Sequence, residues 1–402
     1  MEKWQRNLFI CTLACFIVSV GMSQMAPMLP LYIHSMGVDD PAEVARWSGI
    51  VFSLNFVSLA IFSPIWGRLS DRYGRKPMML RATTWLGIIM IGMGLARNVY
   101  DLCALRLAQG ALSGFLAATT PLISEQSPEK RAGWALSIFF TGQIAGSLIG
   151  PLIGGWMAET LGLRANFFMM AAFCFLGVVA QLFIHEDPHR KKGAASLSTR
   201  EALRSLEHPA RLFGVFVTTF AVFFSLMSLQ PVLTVYIAQL DPGSDHLALV
   251  SGAVFSSAGF ASLLFASRLG KLSDRIGGRQ VLFYSLLVAG LVSIPQAFVR
   301  HPWELGGLRF IHGIAAAGMM PAINYIIRQS VPTDMLGRIY GFNQSFQFVG
   351  MFAGAFLGGY IAATFGIRDL FLLSALLLFL SAGVCRLVVQ KSGFSAHLYR
   401  FM

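Results

Sequence analysis

The sequence predicts an all-α membrane protein, twelve transmembrane helices in two pseudo-symmetric six-helix halves, and three observations carry that prediction. Of its 402 residues, 55% are hydrophobic and only 12% charged, and the mean hydropathy is +0.64. Soluble domains carry about 25% charged residues, so this balance belongs to a chain that lives in lipid. Twelve apolar stretches, most near or beyond the ~20 residues needed to cross a hydrocarbon core, alternate with charged or Gly/Pro-rich turns. Finally, the second six stretches repeat landmarks of the first six at offsets of 203 or 204 residues.

The spans read 8–33, 47–67, 77–96, 102–124, 133–157, 165–184, 212–238, 248–269, 280–299, 303–327, 338–362 and 369–390. Lys3 and Arg6 precede span 1 as basic residues precede a secretory leader, yet its 26 residues exceed the roughly 7–15 of a leader core. It is therefore read as a permanent helix. Pro27-Met-Leu-Pro-Leu-Tyr32 in span 1 matches Pro231-Val-Leu-Thr-Val-Tyr236 in span 7, and Ser48-Gly-Ile-Val-Phe-Ser53 in span 2 matches Ser251-Gly-Ala-Val-Phe-Ser256 in span 8. In span 4, Arg106-x-x-Gln109-Gly110 matches Arg309-x-x-His312-Gly313 in span 10, and the turn Gly162-Leu-Arg164 matches Gly366-Ile-Arg368. Six spans return the chain to the same side, so the copies are parallel, a known transporter layout with the site between the halves. The halves are expected at 1–184 and 212–402, joined by a cytoplasmic linker at 185–211. There Ser198-Thr-Arg-Glu201 reads as a capping box opening a short helix before Pro209.

The net charge of +12 is explained by where the positive residues sit. With Arg106 and Arg309 left within their spans, 24 of the 31 Lys and Arg fall on the side of both termini, five of them at the turn between spans 2 and 3. The opposite turns hold only Arg46, Arg97, Arg164, Arg300 and Arg368. That bias puts both termini in the cytoplasm and explains the basic excess as topology and attraction for anionic lipid, not as a nucleic-acid surface. Cys11, Cys15, Cys103, Cys174 and Cys385 are scattered without metal or disulfide spacing and read as small buried hydrophobes. No metal or cofactor is expected and no enzymatic motif is found. Without a phosphate-binding loop, transport would draw on an ion gradient and not on ATP.

The same charged turn is written twice, as GRLSDRYGRK (67–76) and GKLSDRIGGRQ (270–280). Gly67 would let a helix end approach its neighbour, and Gly74 supplies the positive φ of a tight reversal. Arg72 and Arg75 hold the turn at the cytoplasmic face. Asp71 and its copy Asp274 would pair with an arginine or cap a helix as the halves rock.

GRLSDRYGRK resembles the signature between spans 2 and 3 of the major facilitator superfamily. Leu102-x-x-x-Arg106-x-x-Gln109-Gly110 resembles its span 4 motif. Gly146-Ser-Leu-Ile-Gly150-Pro151-Leu-Ile-Gly154-Gly155 is similar to the span 5 motif of its drug:proton antiporter branch. The resemblance covers essentially the whole chain. It implies the major facilitator fold, a functional monomer in a bacterial inner membrane, and proton-driven export of small amphiphilic, often cationic, molecules through alternating access. It also implies that Arg106 assists proton transfer, and that Glu125, in the stretch ending at Arg131, resembles a gate acid that pairs with the 2/3 arginine, here Arg75. In span 11 the Gly350, Gly354, Gly358, Gly359 copy of the span 5 motif has Ala355 where Pro151 stands, as the family does in its non-proline copy.

Gly146, Gly150 and Gly154 leave one helix face bare for close packing, and Pro151 removes a backbone donor and bends the helix. Charges within spans are costly and are functional candidates: Arg106, its copy Arg309, and His312, a residue type that titrates near neutral pH. Span 1 has no acid between Lys3 and Asp39, a departure that leaves the proton carrier open. Gln24, Asn55, Gln109, Gln230, Asn343 and Gln347 are candidates for facing a central cavity, because polar groups facing lipid are expensive, and Pro27, in the repeated stretch of span 1, is a further candidate. An exporter of one endogenous metabolite, such as a siderophore, would share every motif. An uptake symporter would share the 2/3 turn but not the Gly-Pro motif, and a receptor without transport would show no solute flux.

Overall fold

The computed structural model describes residues 2–128, 131–186, 209–331 and 335–389. The linker helix expected near Ser198 lies outside the described residues. Within them, twelve helical segments are long and apolar enough to cross a membrane.

Span 1 is α1 (Lys3–Ser23) and α2 (Met25–His34), divided at Gln24. Span 2 is α3 (Pro41–Tyr73), started by Asp40, whose carboxylate accepts from the Ala42 amide while Pro41 occupies the first turn. Span 3 is α4 (Arg75–Leu95). Span 4 is α5 (Val99–Leu112) and α6 (Phe115–Gln126). Span 5 is α7 (Ala132–Leu161), and it runs through Pro151 as one helix; span 6 is α8 (Leu163–Leu182). In the second half, α9 (Pro209–Leu229) and α10 (Leu233–Leu240) make span 7, and α11 (Leu247–Ile276) and α12 (Gly278–Gln296) make spans 8 and 9. The last three spans are α13 (Pro302–Ser330), α14 (Leu336–Thr364) and α15 (Ile367–Val384).

Both copies of the charged turn reverse on a left-handed glycine, Gly74 at φ +99° and Gly277 at φ +92°. The halves differ in span 4. Gly114 adopts φ +128° and interrupts that helix, whereas span 10, with Ala317 at the matching position, is continuous. An alanine cannot take that backbone cheaply, so the break belongs to the first half alone.

Inside each half the pairing is the same: span 1 on 5, 2 on 4 and 3 on 6, then 7 on 11, 8 on 10 and 9 on 12. The halves meet along spans 2 and 11 and along spans 5 and 8. One apolar core, including Ala45, Val51, Val254 and Ala355, is shared by both halves at the outer end. At the end that carries both termini each half keeps its own core, around Phe139 in the first and around Ile323 in the second. Every hydrogen bond between halves among the described residues also lies in the outer portion: Thr234 to the Pro27 carbonyl, Leu249 and His246 to Glu159, and Ser256 to the Leu148 carbonyl. Among the described residues the halves therefore share one core at the end away from the termini and keep separate cores at the end that carries them.

Candidate functional site: a cavity between the halves

The space left between the separated inner ends is a cavity of about 710 Å³, adjoined by a second lobe of about 320 Å³. Asn55, Gln109, Gln230, Gln347 and Arg106 line the first lobe, beside Phe52, Phe56, Phe348 and Met22. Gln230, Arg309 and His312 line the second. Among the described residues no aspartate or glutamate reaches either lobe.

Three residues expected in the cavity lie elsewhere. Gln24 is fully buried against Gly154 with neither amide atom hydrogen-bonded. Pro27 turns its carbonyl to the Thr234 hydroxyl at 3.0 Å, tying span 1 to span 7 in the outer seal. Asn343 accepts from the Thr219 hydroxyl at 2.7 Å inside the second half. All three avoid lipid, but a helix interface satisfies that requirement as well as a cavity does.

Arg106 is 1% exposed. Its Nη1 donates to Gln109 Oε1 at 2.6 Å, while Nε and Nη2 point to the Val51 and Phe52 carbonyls at 3.4 Å. Its guanidinium also lies 5.2 Å from the Phe52 ring centre. No described carboxylate pairs with it.

The charged turn between spans 2 and 3 is tied in two ways. Arg75 Nη2 donates to Glu125 Oε1 at 2.5 Å, with Arg75 nearly buried and Glu125 half exposed. Glu186, at the end of the first half, accepts from the backbone amides of Arg75 and Lys76 at 2.7 and 2.9 Å, capping span 3 at the positive end of its dipole. Sequence reading missed that cap; an acid just beyond the last span of the half was the available signal. Gly67 departs from expectation: the helix continues past it to Tyr73, and a side chain there would meet nothing within 4 Å, because the inner ends stand apart. Arg72 is exposed over the Tyr73 ring, Arg131 is exposed at the start of span 5, and Asp274 is exposed without a hydrogen bond to any described residue. The Asp71 side chain lies outside the described residues. Asp101 and Glu304, also matched, each accept a backbone amide four residues earlier, from Arg97 and Arg300.

Arg81, counted with the cytoplasmic turn by charge alone, sits inside span 3. Its guanidinium is stacked 3.2 Å from the Trp66 ring centre and donates to the Ser113 carbonyl at 2.9 Å, a carbonyl at the break in span 4. Only the fold brings these three elements together.

The span 5 glycines serve two partners. Gly146 and Gly154 face span 1: a side chain on Gly146 would sit 2.5 Å from the Phe16 carbonyl, and one on Gly154 2.7 Å from Gln24 Cβ. Gly150 is packed equally tightly against Val20 and Ser23. Gly155 turns instead to the other half, where a side chain would stand 2.6 Å from the Ala248 carbonyl, and the Pro151 carbonyl packs on Gly252. Span 11 repeats this against span 2, with Ala355 and Gly359 on Gly49 and Ala45. The two outer seams are thus copies, and the repeated Ser-Gly pairs at 48–49 and 251–252 supply their other sides.

The sequence profile of the Major Facilitator Superfamily matches residues 8–302 and 246–394. The chain belongs to that superfamily. Among curated members, the multidrug resistance protein MdtG of Dickeya zeae (strain Ech586) is 41% identical over 384 residues, covering 94% of this chain and 93% of the relative. MdtG of Enterobacter lignolyticus (strain SCF1) is 39% identical over 395 residues, covering 98% and 94%. Among solved structures, a bacterial homologue of the human lysosomal transporter Spinster, inward-facing and occupied, superposes with a TM-score of 0.81. It shares 15% identity over 97% of both chains. The human organic anion transporter MFSD10 superposes with a TM-score of 0.68 at 16% identity, over 96% of this chain and all of that one. Membership makes this a multi-pass membrane transporter with the major facilitator fold.

Proposed function

We propose that this chain exports small amphiphilic molecules from the cytoplasm in exchange for protons, by alternating access about the central cavity. The observation that carries the reading is the cavity itself, lying between the halves and sealed at the end away from the termini by two matched glycine seams, one of them built on the Gly-Pro motif of span 5. Relatives named as multidrug resistance proteins, about 40% identical over nearly the whole chain, support efflux as the direction and drugs as the cargo. The charge bias of the turns supports both termini on the cytoplasmic side, and the resemblance to the antiporter branch implies a monomer in an inner membrane.

The walls argue against cationic cargo. With arginine and histidine lining the lobes and no described carboxylate on them, a cation meets uncompensated like charge in a low-dielectric space. Neutral and anionic amphiphiles fit, their apolar parts against Phe52, Phe56 and Met22. Proton coupling then falls to the membrane-embedded basic residues Arg106, Arg309 and His312 or to groups at the gates, since span 1 supplies no acid.

The test is probe uptake into inverted membrane vesicles, with and without an imposed proton gradient, for wild type and Arg106→Ala. Gradient-driven accumulation of anionic or neutral probes, lost in Arg106→Ala, is the expected result. Absence of gradient-driven accumulation for every probe overturns the antiport reading.

A further inference from the structure

The two halves place the same arginine in the same position and leave it in different states. Arg106 is occupied by its own half: Gln109, one turn along span 4, accepts from its Nη1, and the carbonyls of Val51 and Phe52 face its remaining nitrogens. Arg309 and His312 repeat that spacing in span 10, 6% and 4% exposed. Neither makes a hydrogen bond with any described residue. The change from Gln109 to His312 accounts for much of the difference, because a glutamine oxygen is an acceptor by construction, whereas an imidazole offers one acceptor nitrogen at most and none when protonated.

A guanidinium that lines a cavity without a protein acceptor is left for water or a bound anion to satisfy. Here two unpartnered basic side chains share one helix face and line the second lobe together with neutral Gln230 and Ser23. A guanidinium fork matches the paired oxygens of a carboxylate, sulfonate or phosphonate, and does so best where water is scarce. Met22, Ser23, Phe52, Ser147 and Gln230 border both lobes, so a single molecule can reach from one to the other.

We propose that the second lobe is the head-group subsite for the anionic end of an amphiphile, held by Arg309 and His312, while the apolar body lies in the first lobe. This rests on the reading of the cavity as one for cargo without positive charge. It adds that recognition is asymmetric: the arginine of span 10 binds the head group and that of span 4 is wall.

The experiment uses the full-length purified transporter and three probes with one apolar body: 1-pyrenebutanoate, 1-pyrenebutanol and the corresponding trimethylammonium. Affinities are measured by fluorescence titration in mixed micelles. Wild type is expected to bind the carboxylate about tenfold tighter than the alcohol, the scale of one charge-assisted contact. Arg309→Gln abolishes that preference and His312→Gln, which gives Arg309 the acceptor span 4 already has, reduces it to about twofold. Both retain wild-type affinity for the alcohol, which reports an intact cavity, and Arg106→Gln keeps the carboxylate preference. A preference that survives in both span 10 variants, or disappears in Arg106→Gln instead, overturns the subsite while leaving the charge reading of the cavity standing. A wild type that favours the ammonium, or does not distinguish the three, overturns the charge reading itself. If Arg309→Gln loses the alcohol as well, its cavity is damaged, and His312→Gln decides alone.

Discussion

Glu159 is the one acid that, among the described residues, forms hydrogen bonds across the two halves. From the outer end of span 5 it accepts from the Leu249 amide at 2.9 Å and stands 3.2 Å from His246 Nδ1, both at the start of span 8. The matching position in span 11 is Ala363, so only one of the two outer seams has this latch. Glu159→Gln keeps the shape and one acceptor oxygen but removes the charge. It loses the difference between a charged and a neutral hydrogen bond, together with the favourable interaction with the helix N-terminus. These come to about 1–2 kcal/mol with Glu159 only one-fifth exposed; His246, largely exposed, adds little. The inward-facing form should therefore lose about five- to thirty-fold in population against forms with the outer seam open. The reporter is Ser251→Cys, in a background whose five cysteines are replaced by alanine. Ser251 is fully buried and precedes Gly252, which packs on the Pro151 carbonyl in this seam, so a membrane-impermeant maleimide added from outside should react there only when the seam parts. With opening fast relative to labelling, the rate follows the open population. Glu159→Gln should raise it by that five- to thirty-fold factor, and an unchanged or slower rate refutes the latch.

Two further outcomes follow from the same geometry. Gly155→Leu places a Cβ 2.6 Å from the Ala248 carbonyl, a backbone atom that cannot step aside; the outer seam should fail to close at a cost of roughly 1–3 kcal/mol or more. Ser251→Cys labelling then rises and vesicle transport falls; transport at the wild-type rate contradicts the seam. At the cytoplasmic end, Arg75→Gln and Glu125→Gln should each lower the denaturation midpoint, Arg75→Gln less when Glu125 is also neutral. The double variant should cost about 1 kcal/mol less than the two single changes added, because removing one partner alone strands the other; strict additivity contradicts the pair.

The sequence by itself determined the class of molecule. Twelve spans and two parallel halves follow from hydropathy and repeat offset, because a bilayer imposes one length on every helix. The glycine rows of spans 5 and 11 were legible as close-packing faces because only a residue without a side chain permits two backbones to touch. Tertiary structure alone decided what those faces touch. Gly155 was written beside Gly154 in one motif, yet a 100° step around the helix sends one to the other half and its neighbour to span 1.

The cavity was the least legible part. In a soluble helix the apolar stripe points to the core, but lipid is as apolar as a protein interior, so a polar residue in a span declares only that it avoids lipid. Gln109, Asn55, Gln230 and Gln347 avoid it by facing the cavity; Gln24 and Asn343 avoid it by facing other helices. Arg81 was hidden for a related reason: near a basic turn its charge reads as topology, and only the packing of Trp66 and the break at Gly114 shows that it is held inside the wall. Spacing along one helix fixes which residues share a face, and the packing of twelve helices fixes what that face meets.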